Sequence, residues 1–231
     1  MVSLAMLITY CSYYFDINFN MDLTLLSIAI IFPLVFSIRG SFRRREKALE
    51  HLSEFKSTLH TVGNFLLSKP ELVDLYKKEV YTILLDINTT VLSHLSSHAS
   101  NLNKVDKSMN QIYEFVIDKN ETISRQIRDK VFRFMKDMHE SVENLNSIHI
   151  HRTPISLKAY CLIFIYIFPL IYAPEIIKNV GPYELQWIVY CIVFITQFIL
   201  ISLYNIQNQL EYPFDNVGID DINLENFKLN R

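Results

Sequence analysis

Apolar positions fall into two patterns along this chain. Residues 2–15, 23–38, 155–173 and about 183–204 are apolar almost without interruption. Such runs, uniform round a helix, predict segments whose whole circumference lies in lipid or in a protein interior. Crossing a bilayer takes roughly twenty residues, so the first run is short for a span and the others are closer to the required length. Between the second and third runs the pattern changes. Leu52, Phe55, Leu59, Val62 and Leu66 recur at spacings of three and four, as do Val80, Ile83, Ile87, Val91 and Leu95. So do Ile123, Ile127, Val131, Phe134, Met138, Val142 and Leu145. Each series is one face of an amphipathic helix, and faces of this kind bury against one another in a bundle. Residues 68–70 and 101–106 read as connections, and no alternating run predicts a strand.

The pattern gives an all-α integral membrane protein with four transmembrane helices, two at each end, and a helical-bundle insert. The expected boundaries are 1–38 for the first pair of spans, 39–154 for the bundle, 155–206 for the second pair, and 207–231 for a carboxyl-terminal segment. Charge orients this arrangement. Nineteen of the twenty-two Lys and Arg, and all seven His, lie between Arg39 and Lys158. The connection between the first two runs carries Asp16 and Asp22 but no Lys or Arg, and that between the last two carries only Lys178. Cationic loops stay on the cytoplasmic side, which places the insert and both termini in the cytoplasm of a cell whose inner (plasma) membrane holds the spans. The Asn88 and Asn120 sequons then meet no glycosylation machinery.

Candidate chemistry is sparse. Cys11, Cys161 and Cys191 sit singly in apolar runs, without the spacing of a zinc site or a disulfide framework. His94 and His98 stand one helical turn apart, a permissible ligand spacing, but no third ligand accompanies them, and no metal is expected there. No phosphate loop, nucleophile elbow or carboxylate pair in an apolar pocket is present, so the chain reads as a non-enzyme with no cofactor. The basic run GSFRRREK at 40–47 serves a topology anchor, a contact for anionic lipid headgroups, or, through Arg39 and Arg43, the inner mouth of an anion path. No nucleic-acid partner is read from it.

The second run carries two candidate strips. Ile30, Leu34 and Ile38 form one, and Phe32, Phe36 and Gly40 another, each at i, i+4, i+8. Either strip, repeated round the axis of an oligomer, makes an apolar ring that gates by dewetting; contact with lipid or with other helices is the plainer use. Pro33 interrupts the helical hydrogen bonds beside them.

Three stretches, in order, resemble the bestrophin-like channel family and particularly its bacterial branch. FPLVFSIRGSF at 32–42 is similar to the end of that family's second transmembrane helix. HRTPISLKAY at 151–160, followed by Phe168-Pro169, is similar to the start of the third. LEYPFDNVGIDDINLE at 210–225 resembles its carboxyl-terminal signature, here Glu211, Pro213, Phe214, Asp215, Asp220 and Asp221. Asp215 stands where a glycine is common, and the acidic spacing is not that of an EF-hand loop, so no calcium site is implied. The resemblance implies a homopentamer with an axial pore lined by the second helix, passing chloride or other monovalent ions passively and surrounded by membrane lipid. The competing expectation is a non-conducting membrane-anchored scaffold or effector whose cytoplasmic bundle binds a partner.

Overall fold

The computed structural model describes residues 1–70, 72–97, 101–181, 185–215 and 217–229. Among them the chain forms helices α1 (Val2–Tyr14), α2 (Thr24–Leu67), α3 (Asp74–Ser96), α4 (Asn103–Asp118), α5 (Arg125–Ile150), α6 (Ile155–Val180) and α7 (Gln186–Leu210), then a short 3-10 turn at Leu224–Phe227. No strand occurs among the described residues. Three helical stretches are long and apolar enough to cross a membrane: α2, the stretch ending with α6 at Val180, and α7. Helix α1 has the apolar composition but only 13 residues, about 20 Å of helix against a hydrocarbon core of about 30 Å.

Two boundaries differ from the sequence pattern. Helix α2 runs for 44 residues without a break, joining the second apolar run to the first amphipathic series. The basic run between them contains good helix formers, and Gly40 alone costs about 1 kcal/mol, too little to end so long a helix. The expected connection at 101–106 is shorter than its composition suggests, because α4 begins at Asn103, where the Asn101 side chain accepts from the Asn103 N–H at 2.8 Å. The beginning of the fourth run, at Tyr183, lies outside the described residues.

The chain divides into two compact units. The first comprises Met1–Arg43 and Thr153–Glu211. Its interior holds Ile30 and Leu34 of α2 with Cys161, Ile165 and Phe168 of α6 and Leu200 of α7. A second cluster joins Ala5 to Ala173, Ile177, Val189 and Val193, small and branched residues that let helices lie close together. Thr9 and Ser12 return their hydroxyls to the Ala5 and Ile8 carbonyls at 2.9 Å, so α1 buries them at little cost. The outer faces, with Leu7, Leu25, Ile163, Phe194 and Phe198 exposed, are as apolar as the interior, a distribution suited to lipid rather than water. Glu175 is buried in α6 and accepts from the Met21 N–H at 2.6 Å and the Asn179 amide at 2.9 Å, which fixes the α1–α2 connection.

The second unit comprises Arg44–Arg152 and Tyr212–Arg231. Leu52, Phe55, Leu59, Val62 and Leu66 are all fully buried, as the first amphipathic series requires. In the other two series the buried stripe shifts by one residue in places. Leu84 replaces Ile83 in the core, and Met135 replaces Phe134, leaving Ile83, Ile127 and Phe134 at its margin. A helix packed on several sides buries a face wider than a single stripe, so adjacent apolar positions compete for the centre.

Candidate functional site

The apolar part of α2 is where the two candidate strips separate. Leu34 is 1% exposed and Ile30 is equally sequestered, both within the first unit's own core, with Ile38 half-buried beside them. Phe32 and Phe36 are 55% and 60% exposed, one turn apart with ring centroids at 6.0 Å, and Gly40 continues their line with open space round its Cα. Arg39 and Arg43 are exposed at the end of the same segment.

Helix α2 passes through Pro33 without stopping. A proline has no N–H, so the Ala29 carbonyl four residues back lacks its helical partner. The Tyr160 hydroxyl of α6 fills that role, donating to Ala29 O at 3.4 Å. Helix α6 repeats the device. Pro169 frees the Ile165 carbonyl, and the buried Gln197 amide of α7 donates to it at 3.1 Å. Backbone groups freed in an apolar medium need a substitute donor, and here neighbouring helices supply it.

At the other end of this unit the chain enters α6 beside the exit of α7. Glu211, 2% exposed, accepts from the Thr153 N–H at 2.9 Å and from the Lys158 ammonium at 2.7 Å; Lys158 also donates to the Asn208 carbonyl oxygen of its side chain at 2.7 Å. The carboxylate therefore satisfies an N–H ahead of the α6 start and holds a cation in its first turn, forming a charge-assisted clamp between the two helices.

The rest of the carboxyl-terminal signature belongs to the second unit. Phe214 is buried in its core, 6.2 Å from the His149 ring, while Arg152 stacks over Tyr212 at 4.2 Å. The following loop closes on itself: Ile222 N–H donates to Pro213 O at 2.8 Å, Val217 N–H to the Asp215 carboxylate at 3.1 Å, and Gly218 N–H to that of Asp221 at 2.9 Å. Arg45 donates to the Asp220 main-chain carbonyl at 2.6 Å. Burial pushes the Asp221 carboxyl above the usual carboxylate range, helped by hydrogen bonding to Asp215 and its charge, against the Gly218 and Val217 N–H groups. These acidic groups thus shape a turn. Among the described residues no three His, Cys, Asp or Glu side chains are placed to hold a metal ion. His94 is buried with a ring nitrogen 3.0 Å from the Asn146 carbonyl oxygen; His98 lies outside the described residues.

Sequence reasoning located the signature residues but not their partners. Lys158 and Tyr160 lie in the HRTPISLKAY stretch and Arg45 in the basic run, but nothing in those patterns assigns them these contacts, and Gln197 lies in no motif. The signal for two of them was indirect, since each internal proline announces a free carbonyl four residues earlier without saying which helix answers it.

No family model matches the sequence, and no curated protein matches it. Solved structures do. The fold is similar to that of a bacterial bestrophin homologue from Klebsiella pneumoniae, with a TM-score of 0.83 at 12% identity, covering 98% of this chain and 92% of that one. A mutant of the same homologue gives 0.84 at 11% identity over the same shares. A variant described as a membrane protein gives 0.83 at 12% identity, again over 98% and 92%.

Proposed function

From the premise that this chain has the fold of the bacterial bestrophin homologues, the family its sequence resembles, we propose that it is a membrane ion channel. In this reading five copies surround one axial pore, all four apolar helices lie in the inner membrane, and the bundle and both termini are cytoplasmic. The observation that carries the proposal is the division of labour on α2. Ile30 and Leu34 are committed to packing within the protomer, which leaves Phe32 and Phe36 as the one of the two strips available to an axis, with Ile28, Ile31 and Val35 exposed beside them toward lipid or a neighbouring subunit. Five such strips form a ring of aromatic side chains narrow enough to exclude water, with Arg39 and Arg43 beyond it offering cationic charge to small ions. Closed rotational symmetry turns one strip per subunit into a complete wall. Passive conduction of chloride or another monovalent ion needs no reacting group.

The test is purification in detergent, crosslinking to count subunits, and reconstitution in planar bilayers with asymmetric salt. Five crosslinked subunits with ohmic current and a defined reversal potential support the proposal, and the sign of that potential tells an anion from a cation path. An intact oligomer that passes no current under any ion pair favours the membrane-anchored scaffold, and a monomer leaves the pore without walls.

A further inference from the structure

Residues 222–229 lie along α2 and α3 in the second unit in a manner unlike the rest of its core. Ile222 and Leu224 are buried, and Phe227 and Leu229 pack at the margin. The polar contacts address the main chain of this segment. Asn88 on α3 is 1% exposed; its amide nitrogen donates to Phe227 O at 3.1 Å, and its amide oxygen accepts from Leu229 N–H at 2.9 Å. One donor and one acceptor set against residues two apart reproduce what a residue of a parallel neighbouring strand offers. Lys56 on α2 adds a bond from its ammonium to Asn226 O at 3.0 Å. Main-chain bonds thus hold the end of the 3-10 turn at Leu224–Phe227 and the extended residue after it, while apolar sockets take its side chains, a division of roles also used to recognise peptides. The seat is also wider than its occupant. A cleft of about 390 Å³ runs beside residues 223–228, lined on the helix side by Thr89, Leu92, Ser93 and Ser96.

We infer that the face of α2 and α3 presenting Lys56 and Asn88 is a peptide-binding groove, and that segment 222–229 is its resident, exchangeable ligand. The class of partner it takes is a short peptide that makes one 3-10 turn and carries apolar residues at the spacing of Ile222, Leu224, Phe227 and Leu229, the chain's own segment being the occupant. The loop closed by Asp215 and Asp221 is the tether that keeps this ligand at high local concentration. The inference is independent of whether the protein conducts.

A full-length variant carrying Leu224→Asp and Phe227→Asp unseats the segment without altering the groove. A fluorescein-labelled peptide copying residues 219–229 is titrated into it and followed by anisotropy, with a scrambled peptide as control. Saturable binding at least tenfold tighter than to the wild-type protein, and lost when Asn88→Leu is added, is the expected result. The inference fails if the unseated variant keeps its helicity and elution volume yet binds no peptide. It fails equally if the peptide binds as well after Asn88→Leu, or if unseating abolishes the cooperative melting transition, which makes the segment a fixed part of the core.

Discussion

The Tyr160 hydroxyl sits 3.4 Å from the Ala29 carbonyl, the acceptor that Pro33 leaves without its helical donor. The contact crosses from α6 to α2 and compensates a local defect with a tertiary bond, so its energetic weight depends on the proline being there. At 3.4 Å it belongs at the weak end of the range, about 0.5 kcal/mol. Tyr160→Phe should lower stability by that amount in the wild type and by nothing measurable in a Pro33→Ala background, where Ala29 regains an N–H. A double-mutant cycle on thermal unfolding in detergent reads the difference.

Glu211→Ala removes one member of a buried ion pair: the Thr153 N–H loses this acceptor, and the Lys158 ammonium loses its carboxylate while keeping Asn208. Breaking such a pair costs about 3 kcal/mol, more than the pair contributes over an apolar replacement. Glu211→Gln, which keeps an acceptor for Thr153 but not the charge, should cost less. Melting temperatures of the two variants give the ordering.

The Asp221 carboxyl is shifted upward in the folded protein, so the folded state holds its proton more tightly than the unfolded chain does. Its contribution to stability is therefore fully present below about pH 4 and is lost as pH rises through the folded-state pKa. Asp215, Asp220 and the Arg45 guanidinium, the last bonded to the Asp220 carbonyl, are charged groups in or beside this turn. Asp221→Asn keeps an acceptor for Gly218 N–H and should flatten that part of the pH dependence while raising stability near pH 7. Urea unfolding between pH 4 and 7 checks both.

Gly218 tests the same turn sterically. A Cβ there would stand 2.5 Å from an Asp221 carboxylate oxygen, so Gly218→Ala must displace that side chain and weaken the loop closure. A loss of about 1 kcal/mol is expected from crowding, and Asp221→Asn should leave it largely unchanged, because the amide fills the same space.

For the proposed pore, Phe36→Ala should raise the current severalfold if the aromatic strip forms the constriction. Leu34→Ala should instead destabilise the protomer by about 2 kcal/mol or more, leaving a cavity in its own core, with no selective gain in current. The opposite pattern moves the constriction to the Leu34 strip.

Helix existence and type were legible because period-three-and-four burial leaves a strong mark, as the complete burial of Leu52 through Leu66 illustrates. Which of two adjacent apolar residues takes the centre, Leu84 or Ile83, was not, since their transfer energies are alike and only the shape of the neighbouring helix decides. The strips of α2 were visible as spacing, but spacing is symmetric round a helix; the burial of Leu34 and the exposure of Phe36 depend on where α6 and α7 lie. The signature after α7 was recognisable as a pattern, whereas the use of its acidic groups, one in an ion pair and two as acceptors for their own loop, is a property of distances absent from a sequence.

The Gln197 bond to the Ile165 carbonyl also bears on how such chains diverge. While Pro169 is present, losing the glutamine strands a carbonyl in an apolar interior; once the proline has gone, the glutamine is free to become any apolar residue of similar size. Substitution at these two positions therefore has a preferred order in time, proline first. Sequences related by descent should accordingly include many that retain the amide without the proline, and few that retain the proline without a donor.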